Sequence, residues 1–455
     1  MNELLLDAAT RAASYLEALD ARKVAPDREA VARLDALDTP LPAEGCDPTR
    51  VIAHLDYFGS PATMAMAGAR FFGFVIGGAL PVTLAANWIA GAWDQNSAFY
   101  NATPATSRIE QIALRWLVEL LGLPAETGGA FVTGATVANF AALAAARHVV
   151  LSRVGWNVEG DGLFGAPPIQ VVVGEEVHPS LVKSLGLLGL GRNRVVRVPV
   201  DRQGRMRADA LPRIATPSII CTQAGNVNTG AIDPIDEVCK RAESSGAWVH
   251  VDGAFGLWAA ASPELAPLMR GVARADSWAT DAHKWLNVPY DCGLAFTRDA
   301  EALRAAMAVT ADYLPSLSPF RNPADYTPEL SRRARGIEVW AALRALGRDG
   351  VAELIERNCR QARRFAEGLR AGGFRILNEI ALNQVLVAFG DAATTQRVIA
   401  AIQDEGTCWC GGTVWQGETA MRISVSSWAT TDEDVEKSIA AMLRAAKSAG
   451  ATPSR

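Results

Sequence analysis

Short apolar runs alternate with longer amphipathic stretches through the middle of the chain. Apolar residues at helical spacing predict helices over residues 107–121 and 136–153. Short runs rich in β-branched and aromatic residues predict strands over residues 169–173, 218–221, 248–251 and 293–297. Because apolar strands separated by helices are typical of a mainly parallel sheet covered on both faces, this part of the chain is predicted to be a large α/β domain.

The two ends of the chain have different patterns. Residues 1–60 predict an amphipathic helix followed by loops that contain proline. Beyond a proline-rich stretch, residues 331–371 predict one long helix, and short strands mixed with helices follow it. We therefore predict an N-terminal helical segment over residues 1–60, a large domain over 61–330 and a smaller C-terminal α+β domain over 331–448.

Membrane and export signals are weak. Residues 71–93 carry no charge and are long enough to span a bilayer. Pro81, Asn87 and several glycines interrupt this segment, so we interpret it as buried interior. Glu3 and Asp7 lie in the N-terminal stretch, which lacks the basic start and apolar run of a signal peptide.

The composition excludes several classes of protein. The chain has 455 residues with 44 Lys and Arg against 49 Asp and Glu, so its formal net charge of −5 does not favour nucleic-acid binding. With 49% hydrophobic residues it is not a disordered chain. Seven scattered cysteines without a Cys-x-x-Cys pair indicate reduced thiols and a cytoplasmic location, and no metal site is expected from their spacing to the histidines.

Lysine is rare, since only six of the 44 basic residues are lysines. One of them, Lys284, lies between His283 and Trp285 in a segment rich in apolar and small residues. Burial and a neighbouring cation favour the neutral amine, which is the form that attacks a carbonyl to make a Schiff base. The alternative is a surface lysine whose stem covers a hydrophobic patch, and this segment alone leaves both interpretations open.

Three further segments supply groups that suit pyridoxal phosphate. Asp252 ends an apolar strand, where a carboxylate either caps the strand or keeps the ring nitrogen of the cofactor protonated. Residues 133–139 lead into a helix whose N–H groups would hold a phosphate, with the Thr136 hydroxyl as a further donor. His178 follows a strand and could stack on a planar ring or bind a substrate carboxylate. Taken singly, each of these features also has a structural explanation.

The order of these motifs resembles that of one known family. A phosphate segment, a histidine, Asp-x-Ala and then Ser-x5-His-Lys-Trp are similar to the motifs of the pyridoxal-phosphate-dependent group II amino acid decarboxylases, which include the aromatic-amino-acid, histidine and glutamate decarboxylases. That resemblance covers about residues 50–440 and implies the aspartate aminotransferase fold, fold type I. Further similar segments are Phe71-Phe-Gly-Phe74, Thr103 to Glu110, Ser331 to Arg335 with Trp340, and Arg422 to Ser426 ahead of Thr430 to Asp434.

The resemblance implies a role for each site residue. Lys284 would bind the cofactor covalently, Asp252 would pair with its ring nitrogen and His178 would stack on the ring. Tyr313, in a segment that looks like the mobile loop of the family, would protonate the α-carbon, whereas relatives with Phe there tend to make aldehydes. Further contacts with the cofactor would come from Ala135, Thr136, Thr222, Gln223, Ala254 and His283. The family also implies a homodimer with its active sites at the interface and residues 1–60 in dimerisation.

Departures from the family pattern concern the substrate more than the chemistry. Val137 stands where the family has an acid, and Ala69-Arg70 where the aromatic-acid enzymes have His-Pro. Phe99 and Tyr100 suit an aromatic or apolar substrate, whereas one of the many arginines could bind an acidic one. The predicted function is decarboxylation of an L-amino acid, with an aromatic one as a candidate. The alternatives are a carbon–carbon lyase of the aldolase type that uses the same cofactor, and a catalytically silent homologue.

Overall fold

The computed structural model describes residues 2–309 and 320–452, and the chain forms two compact units. The large unit comprises Ala79–Arg360 and Asn378–Gln384, and the small unit comprises Met1–Gly78, Gln361–Leu377 and Val385–Arg455. The helices of the described residues are, in chain order, α1 (Asn2–Glu17), α2 (Arg28–Ala32), α3 (Pro48–His54), α4 (Ser60–Ala62), α5 (Pro81–Trp93), α6 (Pro104–Leu120), α7 (Ala135–Ser152), α8 (Val158–Asp161), α9 (Pro179–Leu187), α10 (Ile235–Glu243), α11 (Ala300–Met307), α12 (Gly336–Ala371), α13 (Ala392–Glu405) and α14 (Asp432–Ser448).

A sheet with seven strands in the described part of the chain forms the centre of the large unit. Its strands are β1 (Gly128–Val132), β2 (Gln170–Gly174), β3 (Val196–Val198), β4 (Ser218–Gln223), β5 (Trp248–Asp252), β6 (Ser277–Asp281) and β7 (Gly293–Thr297). The order across the sheet is β1-β7-β6-β5-β4-β2-β3, and only β7 runs antiparallel to its neighbours. The predicted α/β class with a mainly parallel sheet is therefore confirmed.

The four predicted strands correspond to β2, β4, β5 and β7, whereas β1, β3 and β6 have no clear signal in the sequence. Strand β1 begins with two glycines, β3 has three residues, and β6 reads Ser-Trp-Ala-Thr-Asp. All residues of β6 are nevertheless buried, because β5 and β7 pair with this strand and α7 packs against it. Tertiary packing therefore overrides a weak local preference for strand.

Helix α7 packs against β5, β6 and β7. Its residues Ala138, Ala141 and Ala145 are fully buried, and their small side chains let the helix lie close to the sheet. Among the described residues, α7 is also the one helix long and apolar enough to cross a membrane, but 61% of it is buried inside the protein. That burial is what a core helix requires.

The uncharged segment 71–93 is not uniformly interior. Phe71 and Phe72 are buried as predicted, but the prediction is wrong for α5, whose one buried residue is Thr83. Four large apolar residues of this helix are instead exposed in the single chain, namely Val82, Trp88, Ile89 and Trp93. An apolar helix without cover in one chain is a candidate for contact with a second chain.

A buried ion cluster explains two of the family-like segments. The Glu110 carboxylate of α6 accepts hydrogen bonds from Arg332 (2.7 Å) and Arg321 (3.0 Å), and only 1% of the glutamate is exposed. Arg332 also donates to the carbonyl of Phe131 in β1 at 2.7 Å. Since buried charges need paired partners, these contacts indicate that the segments containing Glu110 and Arg332 act in the fold rather than in chemistry.

The small unit is built on a sheet with four described strands, β8 (Arg375–Ile376), β9 (Gln384–Ala388), β10 (Gly411–Trp415) and β11 (Glu418–Ser424), in the order β10-β11-β9-β8. Helix α13 packs against β11, and α14 packs against α13. This arrangement agrees with the predicted smaller α+β domain.

The long helix α12 is interrupted at Gly347, whose φ of 63° lies in the left-handed region that favours glycine.

The N-terminal segment belongs to this same small unit. The Phe72 N–H donates to the Trp409 carbonyl at 2.8 Å, and the Val24 N–H donates to the Gly406 carbonyl at 2.9 Å. Phe71 stacks on the Trp409 ring with centroids 5.1 Å apart. The units therefore divide after Gly78 and Arg360 rather than at the predicted 60 and 330, because pairing between segments so distant in sequence leaves no local pattern.

Candidate active site

The predicted site residues meet at one edge of the large sheet. Strands β1, β2, β4, β5 and β6 run in the same direction, so the loops that follow them emerge at the same edge. In open α/β sheets this carboxyl edge is where ligands bind. Asp252 is the last residue of β5, Asp281 is the last residue of β6, and Lys284 follows in the next turn.

Lys284 forms an ion pair with Asp281, which no motif in the sequence predicts. Its Nζ lies 2.9 Å from Oδ2 of Asp281, whose side chain is 3% exposed, while the lysine side chain is 20% exposed. The other oxygen of Asp281, Oδ1, is buried and has no hydrogen-bond partner among the described residues. The amine therefore lies in a partly closed site beside a buried carboxylate, which excludes the alternative of an exposed surface lysine.

His283 lies beside the same carboxylate with a defined proton position. Its Nδ1 accepts a hydrogen bond from the Cys292 N–H at 3.1 Å, so the neutral ring carries its proton on Nε2, 3.7 Å from Oδ2 of Asp281. Burial lowers the pKa of His283 below its usual value, which favours this neutral form. Tyr290 packs on the imidazole with ring centroids 4.3 Å apart, and partial burial raises the pKa of its phenol to about 12, although 56% of the residue is exposed.

The start of α7 lies next to His283. A Cβ placed on Gly134 would be 3.4 Å from Cε1 of His283, and a Cβ on Gly293 would be 2.5 Å from the Gly134 backbone, so only glycine at 293 allows this approach. Gly134 is the N-cap of α7 and makes no side-chain hydrogen bond to the first turn, where Ala135 and Thr136 lie. Uncapped N–H groups at a helix start favour an anion.

Asp252 is almost fully enclosed, with 4% of the residue exposed. Its Oδ1 accepts a hydrogen bond from the Ala254 N–H and its Oδ2 accepts one from the Asn139 side chain, both at 3.2 Å. Burial raises the pKa of Asp252, and the charges of nearby His178 and Lys284 oppose that rise. The structure thus brings the predicted aspartate, histidine and lysine close enough together to interact.

A chain of buried side chains extends behind Asp252. The Trp248 indole donates to Ser277 Oγ, the Ser277 hydroxyl pairs with His250 Nδ1, and His250 Nε2 pairs with Asn139 Oδ1, each at 2.8 Å. Because the Asn139 oxygen can only accept, we assign the imidazole proton to His250 Nε2, which donates to it. Nδ1 of the neutral ring then accepts the hydrogen bond that the Ser277 hydroxyl donates. Burial lowers the pKa of His250 to about 3, so the ring is neutral. No local pattern in the sequence indicates that these residues support Asp252.

Three further residues predicted to contact the cofactor make hydrogen bonds within the protein. His178 is half-buried and caps α9, because its Nδ1 accepts the Ser180 N–H at 3.3 Å. The Thr222 hydroxyl donates to the His250 carbonyl at 3.2 Å, and the Gln223 amide donates to the Glu176 carbonyl at 3.1 Å. Thr222 and Gln223 therefore hold neighbouring backbone next to Asp252, while Tyr313 lies outside the described residues.

A lysine, a buried carboxylate and a helix start without a side-chain cap lie at the carboxyl edge of the parallel strands. This arrangement is typical of the class of pyridoxal-phosphate enzymes. Comparison with known proteins identifies the family. The model of the pyridoxal-dependent decarboxylase conserved domain matches residues 64–390. The chain therefore belongs to the pyridoxal-dependent decarboxylase family. It is a carboxy-lyase that acts on an amino acid with pyridoxal 5'-phosphate as its cofactor.

Individual relatives differ in what their names say they act on. Tryptophan decarboxylase 1 of Oryza sativa subsp. japonica is 27% identical over 407 residues, 81% of this chain and 78% of that protein. The acidic amino acid decarboxylase of Bos taurus is 29% identical over 324 residues, 68% of this chain and 61% of that protein. The solved structure of Oryza sativa TDC with PLP and tryptamine has a TM-score of 0.91 at 22% identity, covering 98% of this chain and 97% of that one, which shows the shared fold.

The residues present fit pyridoxal phosphate. A lysine amine lies in a partly closed site, a buried carboxylate with a raised pKa lies close to it, and a helix start without a side-chain cap lies next to a neutral imidazole. These groups match the aldehyde, ring nitrogen and phosphate of the cofactor in turn.

Proposed function

We propose that the protein removes the α-carboxylate from an L-amino acid with an aromatic side chain, giving the amine and carbon dioxide. The observation that carries this choice is Tyr290, whose ring packs on His283 at 4.3 Å while 56% of the residue stays exposed. An exposed ring beside the lysine segment offers a flat apolar surface for an aromatic side chain. The carboxylates of Asp252 and Asp281 disfavour a second negative charge in the substrate.

We assign the cofactor contacts to residues of this chain as follows. Lys284 would hold the cofactor through Nζ, and Asp252 would keep a proton on its ring nitrogen. His178 and Ala254 would lie against the two faces of the ring. The phosphate would be held by the start of α7, at Ala135 and Thr136, and by the Nε2–H of His283. Thr222 and Gln223 would lie beside the ring.

Bound pyridoxal phosphate supplies the electron sink for the pair left when carbon dioxide departs. The residues of the chain fix the charges around that sink. Asp252 is held by Asn139 and the Ala254 N–H, so it does not need to reorient when its partner binds. His283 remains a neutral donor because Cys292 occupies Nδ1. We further propose Tyr313 as the acid that returns a proton to the α-carbon, which gives an amine rather than an aldehyde.

Product analysis tests the reaction and the substrate class together. The holoenzyme is incubated separately with tryptophan, tyrosine, phenylalanine, glutamate, aspartate and 2,4-diaminobutyrate, and the products are identified by mass spectrometry. We expect an amine lighter than its substrate by one carbon dioxide, formed from an aromatic amino acid. Amine from glutamate or aspartate only would overturn the aromatic assignment, and an aldehyde would contradict the role of Tyr313. A product that keeps the carboxylate would indicate a different lyase, and no product from any amino acid a silent homologue.

We also propose that the protein is a homodimer in the cytoplasm. In α5 the side chains of Val82, Trp88, Ile89 and Trp93 are 41–52% exposed, and helical spacing places Val82, Ile89 and Trp93 on one face. An apolar face of this kind is typical of a surface that a second copy covers. The cytoplasmic location is supported by the cysteines, which are all free thiols.

Light scattering after size exclusion tests the dimer. For a chain of 48.4 kDa we expect about twice that mass for the native protein. The double variant Ile89→Glu/Trp93→Glu should shift the mass to that of one chain, because buried charges at an interface core are unfavourable. The matched control is Phe164→Glu, at an apolar residue that is 98% exposed outside α5, and it should remain dimeric. A native monomer would contradict the dimer, and a dimeric double variant would exclude α5 as its interface.

A further inference from the structure

The proposed cofactor contacts do not include Asp281, although its carboxylate lies in direct contact with the amine of Lys284. Asp281 is the last residue of β6, and its side chain is 3% exposed. Its Oδ2 lies 2.9 Å from Nζ of Lys284. Its second oxygen has no hydrogen-bond partner among the described residues. A buried carboxylate oxygen without a donor is costly, so the ion pair with Lys284 is the main compensation for the charge of Asp281.

The other ionisable groups around this pair are mostly neutral. His283 on the same turn and Tyr290 and Cys292 on the following segment all lie near enough to interact with Asp281, and burial favours the neutral form of each. Asp291 in that segment acts on His283 and pairs with Arg335 at 2.8 Å. Because these neighbours are neutral or paired elsewhere, the positive charge of Lys284 is compensated mainly by carboxylates.

The remaining charges come from β5 and from the loop after β2. Asp252 lies close enough to Lys284 for the two charges to interact, and His178 acts on Asp252 as well. Asp252 is already held by Asn139 and by the Ala254 N–H. The carboxylate in direct contact with Nζ is therefore Asp281, and a negative charge at hydrogen-bond distance favours the protonated form of a nitrogen.

We propose that Asp281 is a positioning residue that keeps a proton on Nζ of Lys284, both when this nitrogen carries the cofactor and when it is free. The inference rests on the proposed role of Lys284. A proton on Nζ would make the cofactor carbon bound to it more electrophilic towards a substrate amine. As the bond from that amine to the carbon forms and the bond to Nζ breaks, Nζ would take up the protons that the substrate amine loses, and the released ammonium ion held by Asp281 would be a poor nucleophile. Asp281 thus favours transfer of the cofactor from the enzyme to the substrate.

The visible absorbance of the holoenzyme reports the protonation of the lysine nitrogen that carries the cofactor, so a pH titration tests the inference without turnover. In Asp281→Asn we expect the midpoint of this titration to fall by about 1–3 pH units, because the negative charge that favours the protonated form is lost while burial remains. Asp281→Glu, which restores a carboxylate, should return the midpoint towards the native value. A midpoint unchanged in Asp281→Asn would overturn the inference.

The matched control is Asp276→Asn. Asp276 is a largely buried carboxylate next to the opposite end of β6, where it accepts the Val249 N–H at 2.7 Å, and its loss should leave the midpoint unchanged. If Asp281→Asn does not fold, Asp281→Ser makes the same test with a smaller side chain and is expected to show the same fall. A native holoenzyme without a lysine-bound cofactor band would instead contradict the proposed role of Lys284, which separates the two failures.

Discussion

Replacing Lys284 with arginine is expected to abolish covalent attachment of the cofactor and to lower kcat by at least about 1000-fold, as loss of a nucleophile commonly does. A guanidinium keeps the positive charge opposite Asp281, so the fold should survive, but it does not lose its proton and cannot attack the aldehyde. Amine production gives kcat. Borohydride reduction followed by mass spectrometry of the intact chain shows whether the cofactor is attached.

The same substitution elsewhere provides the control. Lys183 is exposed on α9, and Lys183→Arg should leave both the reduced mass and kcat at native values. Circular dichroism would confirm that both variants are folded. A Lys284→Arg protein that still gains the mass of the cofactor and makes amine would show that another lysine carries it.

Replacing Asp252 with alanine is expected to lower kcat by about 100- to 1000-fold, the range found when one preorganised electrostatic partner is removed. Without the carboxylate the ring nitrogen of the cofactor would no longer hold its proton, and the electron sink would weaken. Asp252→Asn separates charge from shape, since it keeps an acceptor for Asn139 and should still lose most activity. Steady-state amine production measures both variants.

Asp276→Ala is the control for this second experiment, because it also removes a largely buried carboxylate from the edge of β6 but does so away from the site. Its kcat should stay near the native value. Near-native kcat in Asp252→Ala would contradict the role assigned to Asp252, provided that circular dichroism shows a folded protein.

The side chains behind Asp252 explain why its position is well defined. Asn139 is fixed by His250, and His250 is fixed by Ser277, with 0% exposure for each of the three. A buried chain in which every donor has an acceptor allows one arrangement of protons and one orientation of the terminal amide. That amide presents its N–H to Asp252, so the carboxylate is oriented before any partner binds.

Most of the fold could be predicted because the strongest elements carry their own signals. The apolar runs of β2, β4 and β5 and the periodic patterns of α6 and α7 appear within a few residues of their observed bounds. Strand β6 could not be predicted, since its small and polar residues become a strand only when β5 and β7 pair with it. The exposed face of α5 was also misjudged, because an uncharged run does not show whether its cover comes from the same chain.

The candidate site divides in the same way. Lys284, Asp252 and His178 were recognisable because each stands at a strand end or beside unusual neighbours, and the order of their motifs is local information along the chain. The contacts of Asn139 with Asp252 and with His250 join residues 113 and 111 positions apart. Such contacts follow from the strand order of the sheet, and no local pattern contains them.

The sequence by itself therefore determined the class of the protein: an α/β chain with a lysine, an aspartate and a phosphate segment in the order of a pyridoxal-phosphate enzyme. The tertiary structure alone decided the surroundings of those groups, including the pairing of Lys284 with Asp281 and the support of Asp252 by Asn139. The physical reason is that the protonation and orientation of a buried group depend on every neighbour within a few ångströms. Those neighbours come from strands and helices that only folding brings together.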